Sequence, residues 1–162
     1  MNKSESKIEY IECCIDEYAD SLIHIAYNIL GSLAESEDIV QEVFTKLYKC
    51  KPKFNDKKHE KAWLIRVTVN QAKNQLRKFK RLSPYEEYMN EEIAFDDSDQ
   101  RAVHEAVYAL EKKYRIIVYL YYFEGYNTKE ISEILCIPLS TVGTRFERAK
   151  QKLRKMLNME GI

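Results

Sequence analysis

The chain has 162 residues, 45% of them hydrophobic and 32% charged, with a formal net charge of zero. That composition fits an ordinary soluble domain or pair of domains and excludes collagenous and disulfide-scaffold classes. Its apolar runs fall far short of the roughly 20 residues needed to span a bilayer. The zero net charge conceals strong segregation, at −7 over residues 1–48, +10 over 49–81, −7 over 82–100 and +4 over 101–162. Local fields act over about a Debye length, roughly 8 Å, so each basic block can meet phosphates independently. Cys13, Cys14, Cys50 and Cys136 form no Cys-x-x-Cys pair, so no metal site is expected. The polar start, Met1-Asn2-Lys3-Ser4-Glu5, has no signal-peptide core, and the chain is expected in the cytoplasm without direct membrane insertion.

Four glycines, three prolines and few alternating Val/Ile/Thr runs predict an all-α chain. Ile8, Ile11, Ile15, Leu22, Ile25 and Ile29 predict a first helix that ends at Gly31. A second is expected from about Glu35 to Lys49. It should bury Ile39, Val40, Val43, Phe44, Leu47 and Tyr48, with Asp38, Gln41, Glu42 and Thr45 as an acidic outer strip and Pro52 beyond its end. The loop Phe54-Asn55-Asp56-Lys57-Lys58 leads into a third helix, from about Glu60 to Arg81. Trp63, Leu64, Val67, Ala72, Leu76 and Phe79 make its apolar side, and Arg66, Asn70, Lys73 and Arg77 line a different stripe. A phenylalanine among lysines suits stacking on an unpaired base, and it suits a local core plug equally well.

Residues 83–100 carry no positive charge and no sustained period, and read as an acidic linker between helical domains at 1–82 and 101–162. Helical periodicity resumes with Ala102, Val103, Ala106, Val107 and Leu110, then Ile117, Val118, Leu120 and Tyr121. In the segment that follows, Asn127 and Glu130 have capping-box spacing, and Ile131, Ile134 and Leu135 share a face. Pro138 then interrupts, with Ser140 expected to cap the next helix. There Val142, Phe146, Ala149 and Leu153 face inward, leaving Thr141, Thr144, Arg145 and Arg148 outward. A helix, a tight turn and a basic helix carrying short hydroxyls and arginines make a helix-turn-helix suited to the major groove, because arginine can give two hydrogen bonds to guanine and neither residue type blocks close approach.

Two passages, Asp38-Ile39-Val40-Gln41-Glu42-Val43-Phe44 and Ala62-Trp63-Leu64-Ile65-Arg66-Val67-Thr68-Val69-Asn70-Gln71-Ala72-Lys73-Asn74, resemble conserved region two of bacterial sigma factors of the extracytoplasmic-function group. Tyr122-Phe123-Glu124-Gly125-Tyr126-Asn127-Thr128-Lys129-Glu130-Ile131, with Ser140-Thr141-Val142-Gly143-Thr144-Arg145, resembles their region four. The resemblance implies a sigma factor that directs core RNA polymerase to promoters and assists DNA melting, with no catalytic residues and no cofactor. It implies that Asp38, Gln41 and Glu42 grip the clamp helices of the largest polymerase subunits. Phe54 and Asn70 would then lie beside the flipped minus-ten base, with Lys57, Lys58, Arg66, Lys73 and Arg77 on the backbone. Ser140, Thr141, Thr144, Arg145 and Arg148 would read the minus-thirty-five element. It also implies a cognate anti-sigma factor, often membrane-anchored in this group. Gly143 departs from the pattern where many relatives carry a basic residue, Cys136 where a turn glycine is usual, and Glu111 where a proline often stands.

Two rival readings are a stand-alone helix-turn-helix regulator and an enzyme. A regulator would favour a symmetric dimer, whereas this chain holds one copy of the motif beside an unlike basic domain. Against an enzyme, His24, His59 and His104 fall in separate elements without metal-ligand or triad spacing.

Overall fold

The computed structural model describes residues 2–82 and 98–158, and these form an all-α fold. The chain divides into two compact units, Met1–Glu91 and Glu92–Ile162.

In the first unit, α1 (Lys3–Leu30), α2 (Leu33–Cys50) and α3 (Lys57–Leu82) pack mutually around one core. Leu22, Ile25, Leu30, Val43, Leu64, Ile65 and Val69 are fully buried there. Gly31 ends α1 in the left-handed conformation at φ 71°, its N–H donating to the Tyr27 carbonyl at 2.8 Å, as a C-cap glycine does. One residue later the Ser32 hydroxyl accepts from the Glu35 N–H and opens α2. α3 starts three residues earlier than the periodicity indicates, because the Asp56 carboxylate accepts the His59 N–H at 2.7 Å and supplies the cap. Lys57 and Lys58 therefore belong to the first turn of α3, not to the loop.

The second unit comprises α4 (Ser98–Ala109), α5 (Lys112–Tyr122), α6 (Thr128–Leu135) and α7 (Leu139–Leu157). Its core joins Ala106, Val107 and Leu110 of α4 and its end to Tyr114, Val118, Ala149 and Leu153. The buried Arg115 donates to the Leu110 carbonyl at 3.0 Å and so satisfies the end of α4. Within the stretch read as linker, α4 already begins at Ser98; residues 83–97 of that stretch lie outside the described residues.

Several apolar positions expected inside are exposed. Ile8, Ile15, Tyr48 and Val103 keep 39–48% of their surface. A helix with apolar residues on more than one face does not say which face meets its neighbours, and in α1 the ridge Cys14, Tyr18, Leu22, Ile25 and Ile29 wins the core. Tyr121, also expected inside, is 38% exposed and packs partly on Phe146 at 4.5 Å between centroids.

Candidate polymerase and nucleic-acid interfaces

The second helix places Asp38, Gln41 and Glu42 on its exposed side, opposite the buried Ile39, Val43 and Leu47. Beside that strip runs an open groove between α1 and α2. Ile11, Ile15, Ala19 and Ile23, four residues apart on α1, form one wall; Val40, Phe44 and Tyr48 of α2 form the other, with Glu37, Gln41 and Thr45 at the edge. An apolar trough with Glu37 at its edge and the acidic strip of Asp38 and Glu42 on the same helix suits a partner helix that offers apolar and basic residues together. The Lys7 ammonium lies 3.7 Å from the Tyr48 ring centre, a cation–π contact at this edge.

The loop before α3 is built around His59. Its Nδ1 accepts from the Asn55 N–H at 3.1 Å, which puts any single ring proton on Nε2. The Phe54 ring stands edge-on to His59 (centroids 5.3 Å) and to Trp63 (5.8 Å). Phe54 is thus half-buried. The first turn of α3 is anchored from inside, where Glu60, only 8% exposed, accepts from the Tyr10 hydroxyl at 2.6 Å and the Tyr18 hydroxyl at 2.9 Å. Burial, with those bonds to a carboxylate second, pushes both phenols well above their ordinary range. Lys57 pairs with Glu17 of α1 at 2.8 Å, which raises its affinity for its proton and ties it to α1. Down α3, Arg66, Asn70 and Arg77 are exposed and Lys73 half-buried on one stripe, while Lys58 is exposed at its start.

In the second unit, Asn127 and Glu130 form the reciprocal cap read from their spacing. The Asn127 Oδ1 accepts from the Glu130 N–H at 2.8 Å, and the Glu130 carboxylate accepts from the Asn127 N–H at 3.2 Å. Cys136 ends α6 in the left-handed region at φ 55°, and Ser132 closes the turn by donating its hydroxyl to the Ile137 carbonyl at 2.6 Å. Pro138, not Ser140, is the N-cap residue of α7. Its fixed φ of −58° suits the entry to a helix, and Ser140 lies exposed inside the first turn. Val142, Phe146, Ala149 and Leu153 are buried; Thr144 and Arg148 are exposed, and Thr141 and Arg145 half-buried. Thr144 donates its hydroxyl to the Ser140 carbonyl at 3.0 Å, so outward it presents a methyl group and acceptor lone pairs.

The family description Sigma-70 region 2 matches residues 14–82, and Sigma-70, region 4 matches residues 100–153. The chain is 29% identical over 161 residues to the ECF RNA polymerase sigma factor SigW of Bacillus subtilis, covering 88% of this chain and 86% of that one. The chain belongs to the extracytoplasmic-function sigma factors. RNA polymerase sigma factor SigV of the same organism is 26% identical across 100% of this sigma factor and 99% of the relative. Among solved structures, the sigma factor RpoE of Bartonella quintana, in complex with the anti-sigma factor NepR, superposes with a TM-score of 0.76. That match has 19% identity and covers 93% of this chain and 98% of the other. CnrH, in complex with the cytosolic domain of CnrY, gives a TM-score of 0.62 at 19% identity, over 93% and 89% of the two chains.

What the sequence reading of this sigma factor missed is the groove and the Glu60 anchor. The Ile11, Ile15, Ala19, Ile23 ridge is visible as a four-residue repeat, but periodicity alone assigns it to the core. Glu60, in a lysine-rich stretch, gives no local sign that two tyrosines more than forty residues away will enclose it. Among the described residues no helix is long and apolar enough to cross a membrane, and no cluster of His, Cys, Asp and Glu is arranged to hold a metal ion.

Proposed function

We propose that this sigma factor directs core RNA polymerase to promoters through three surfaces, one for the enzyme and two for DNA. Asp38, Gln41 and Glu42, with the adjoining α1–α2 groove, grip the clamp helices of the largest polymerase subunits. Phe54 and Asn70 capture a flipped minus-ten base while Lys58, Arg66, Lys73 and Arg77 follow the backbone. Extruding a base costs a few kcal/mol, offset by stacking and phosphate neutralisation. Ser140, Thr141, Thr144, Arg145 and Arg148 of α7 read the upstream duplex. A cognate anti-sigma factor, of a kind often membrane-anchored in this group, holds the protein inactive. The observation that carries the reading is the pairing, in one chain, of an apolar groove beside the acidic strip of α2 with a basic helix-turn-helix.

The test is reconstitution with core polymerase and mapping of the transcripts started. Defined starts preceded by a common two-part element are expected; random initiation, or none beyond core enzyme alone, would overturn the proposal.

A further inference from the structure

At the leading edge of α7 one apolar side chain is exposed and one side chain is missing. Leu139, the first residue of the helix, keeps 51% of its surface in water. Gly143, one turn on and on the same side, has no neighbour within 4 Å of the place a side chain's first carbon would occupy. Its φ is not left-handed, so no turn requires glycine there, and glycine is among the poorest helix formers. An exposed leucine one turn from a glycine, in the first turns of the helix read as duplex-reading, leaves apolar surface beside open space. The exposed Ser140 and Thr144 are its sequence neighbours, and the basic positions Arg145 and Arg148 follow.

We propose that Leu139 and Gly143 form a pocket for the 5-methyl group of one thymine in the upstream duplex, making these two residues specificity determinants. The inference rests on the reading of α7 as the duplex-reading helix. In the major groove the thymine methyl is the apolar feature that a side chain can recognise, and the N-terminal residues of a recognition helix are those that reach base edges. Leu139 supplies the contact surface; the absent side chain at Gly143 lets the methyl sit against the helix backbone. The hydroxyls of Ser140 and Thr144 remain for polar atoms nearby.

The experiment replaces each upstream thymine singly by uracil in double-stranded promoter DNA obtained by mapping the protein's own starts. Uracil removes the methyl and leaves the hydrogen-bonding pattern intact. Upstream affinity is measured with holoenzyme containing the full-length chain. At one position the parent should lose about three- to tenfold on uracil, the scale of one buried methyl. Leu139→Ala should bind thymine and uracil equally there. Gly143→Met, which favours the helix and fills the pocket, should also lose the preference while melting no lower than the parent. Arg148→Ala is the control for the underlying reading. If it leaves upstream binding unchanged, α7 is not the reader and the reading itself fails. If it weakens binding while uracil is tolerated at every thymine, or Leu139→Ala keeps the full thymine preference, the pocket is overturned. Loss of core polymerase binding by Leu139→Ala, with thymine preference retained, would overturn it in favour of a protein contact.

Discussion

Glu60 shows how one side chain connects scaffold to site. Among the described residues it is the buried carboxylate, and its two tyrosine partners lock the first turn of α3, and with it the Phe54 loop, onto α1. Glu60→Ala removes the acceptor of the buried Tyr18 hydroxyl and of the part-buried Tyr10 hydroxyl, and should destabilise the protein by about 1 to 3 kcal/mol in urea unfolding. Alkaline pH gives an independent handle. Both phenols have raised pKa values when folded, so the folded state keeps protons that the unfolded chain releases. Their stabilising contribution is intact below about pH 10 and is lost as the pH climbs through the folded values. The Tyr10→Phe, Tyr18→Phe double variant should start less stable at neutral pH yet fall less steeply above pH 10. Some slope should remain, because Tyr119 is raised by burial and Tyr126 is pushed up to about 12. A parent curve flat above pH 10 would contradict the assignment. At the same loop, Phe54→Ala and Asn70→Ala should lower open-complex formation about five- to a hundredfold where opening is marginal, corresponding to the roughly 1 to 3 kcal/mol of a lost stacking contact. The upstream footprint should survive, and a pre-melted promoter should recover part of the loss. Permanganate reactivity of minus-ten thymines reads the outcome, and normal opening by both variants would make Phe54 purely structural.

At the level of elements, the helix-turn-helix depends on its caps. Asn127→Ala removes the acceptor for the Glu130 N–H and should cost the C-terminal unit about 1 kcal/mol. Cys136→Gly should act in the opposite direction, stabilising by up to about 1 kcal/mol, because the left-handed φ of 55° is strained for cysteine and natural for glycine. Thermal melting of the two variants against the parent decides both signs; a stabilised Asn127→Ala or a strongly destabilised Cys136→Gly would refute the account. The Asn127 cap was legible because it is local, its partners three residues apart. The start of α7 was misread because Pro138 and Ser140 both carry helix-opening signals, and the backbone enters the helix at Pro138, leaving Ser140 within it. In α1 two adjacent apolar ridges compete, and a stripe count cannot choose between core and groove.

Across the whole molecule, alternating charge lets a chain of zero net charge carry acidic and basic surfaces on different helices. The surfaces should therefore fail separately. Asp38→Lys with Glu42→Lys should lower core polymerase affinity tenfold or more, on the order of 1.4 kcal/mol, with helical content unchanged, since both positions are exposed. Ile15→Asp, on the groove wall but outside the sealed core, should do the same. Arg148→Ala should leave core affinity intact and weaken upstream duplex binding by about 1 to 3 kcal/mol if it meets a base edge, or similarly on every sequence with a shallower salt slope if it meets phosphate. Equilibrium binding to core enzyme and footprinting of upstream DNA, run on each variant, should give this crossed pattern. Loss of both activities in any exposed-site variant would mean that the surfaces are not independent.

The sequence by itself determined the all-helical class, the second-helix strip and the outward face of α7, because helical period and capping are encoded within a few residues of each other. It also supplied the family, through two motifs in order. The tertiary structure alone decided which ridge of α1 is core and which is groove, that Phe54 leans on His59 and Trp63, that Lys57 is drawn to Glu17, and that Glu60 is enclosed by Tyr10 and Tyr18. Each of those outcomes joins side chains from separate elements or fixes a loop between them, and their geometry depends on how the helices pack.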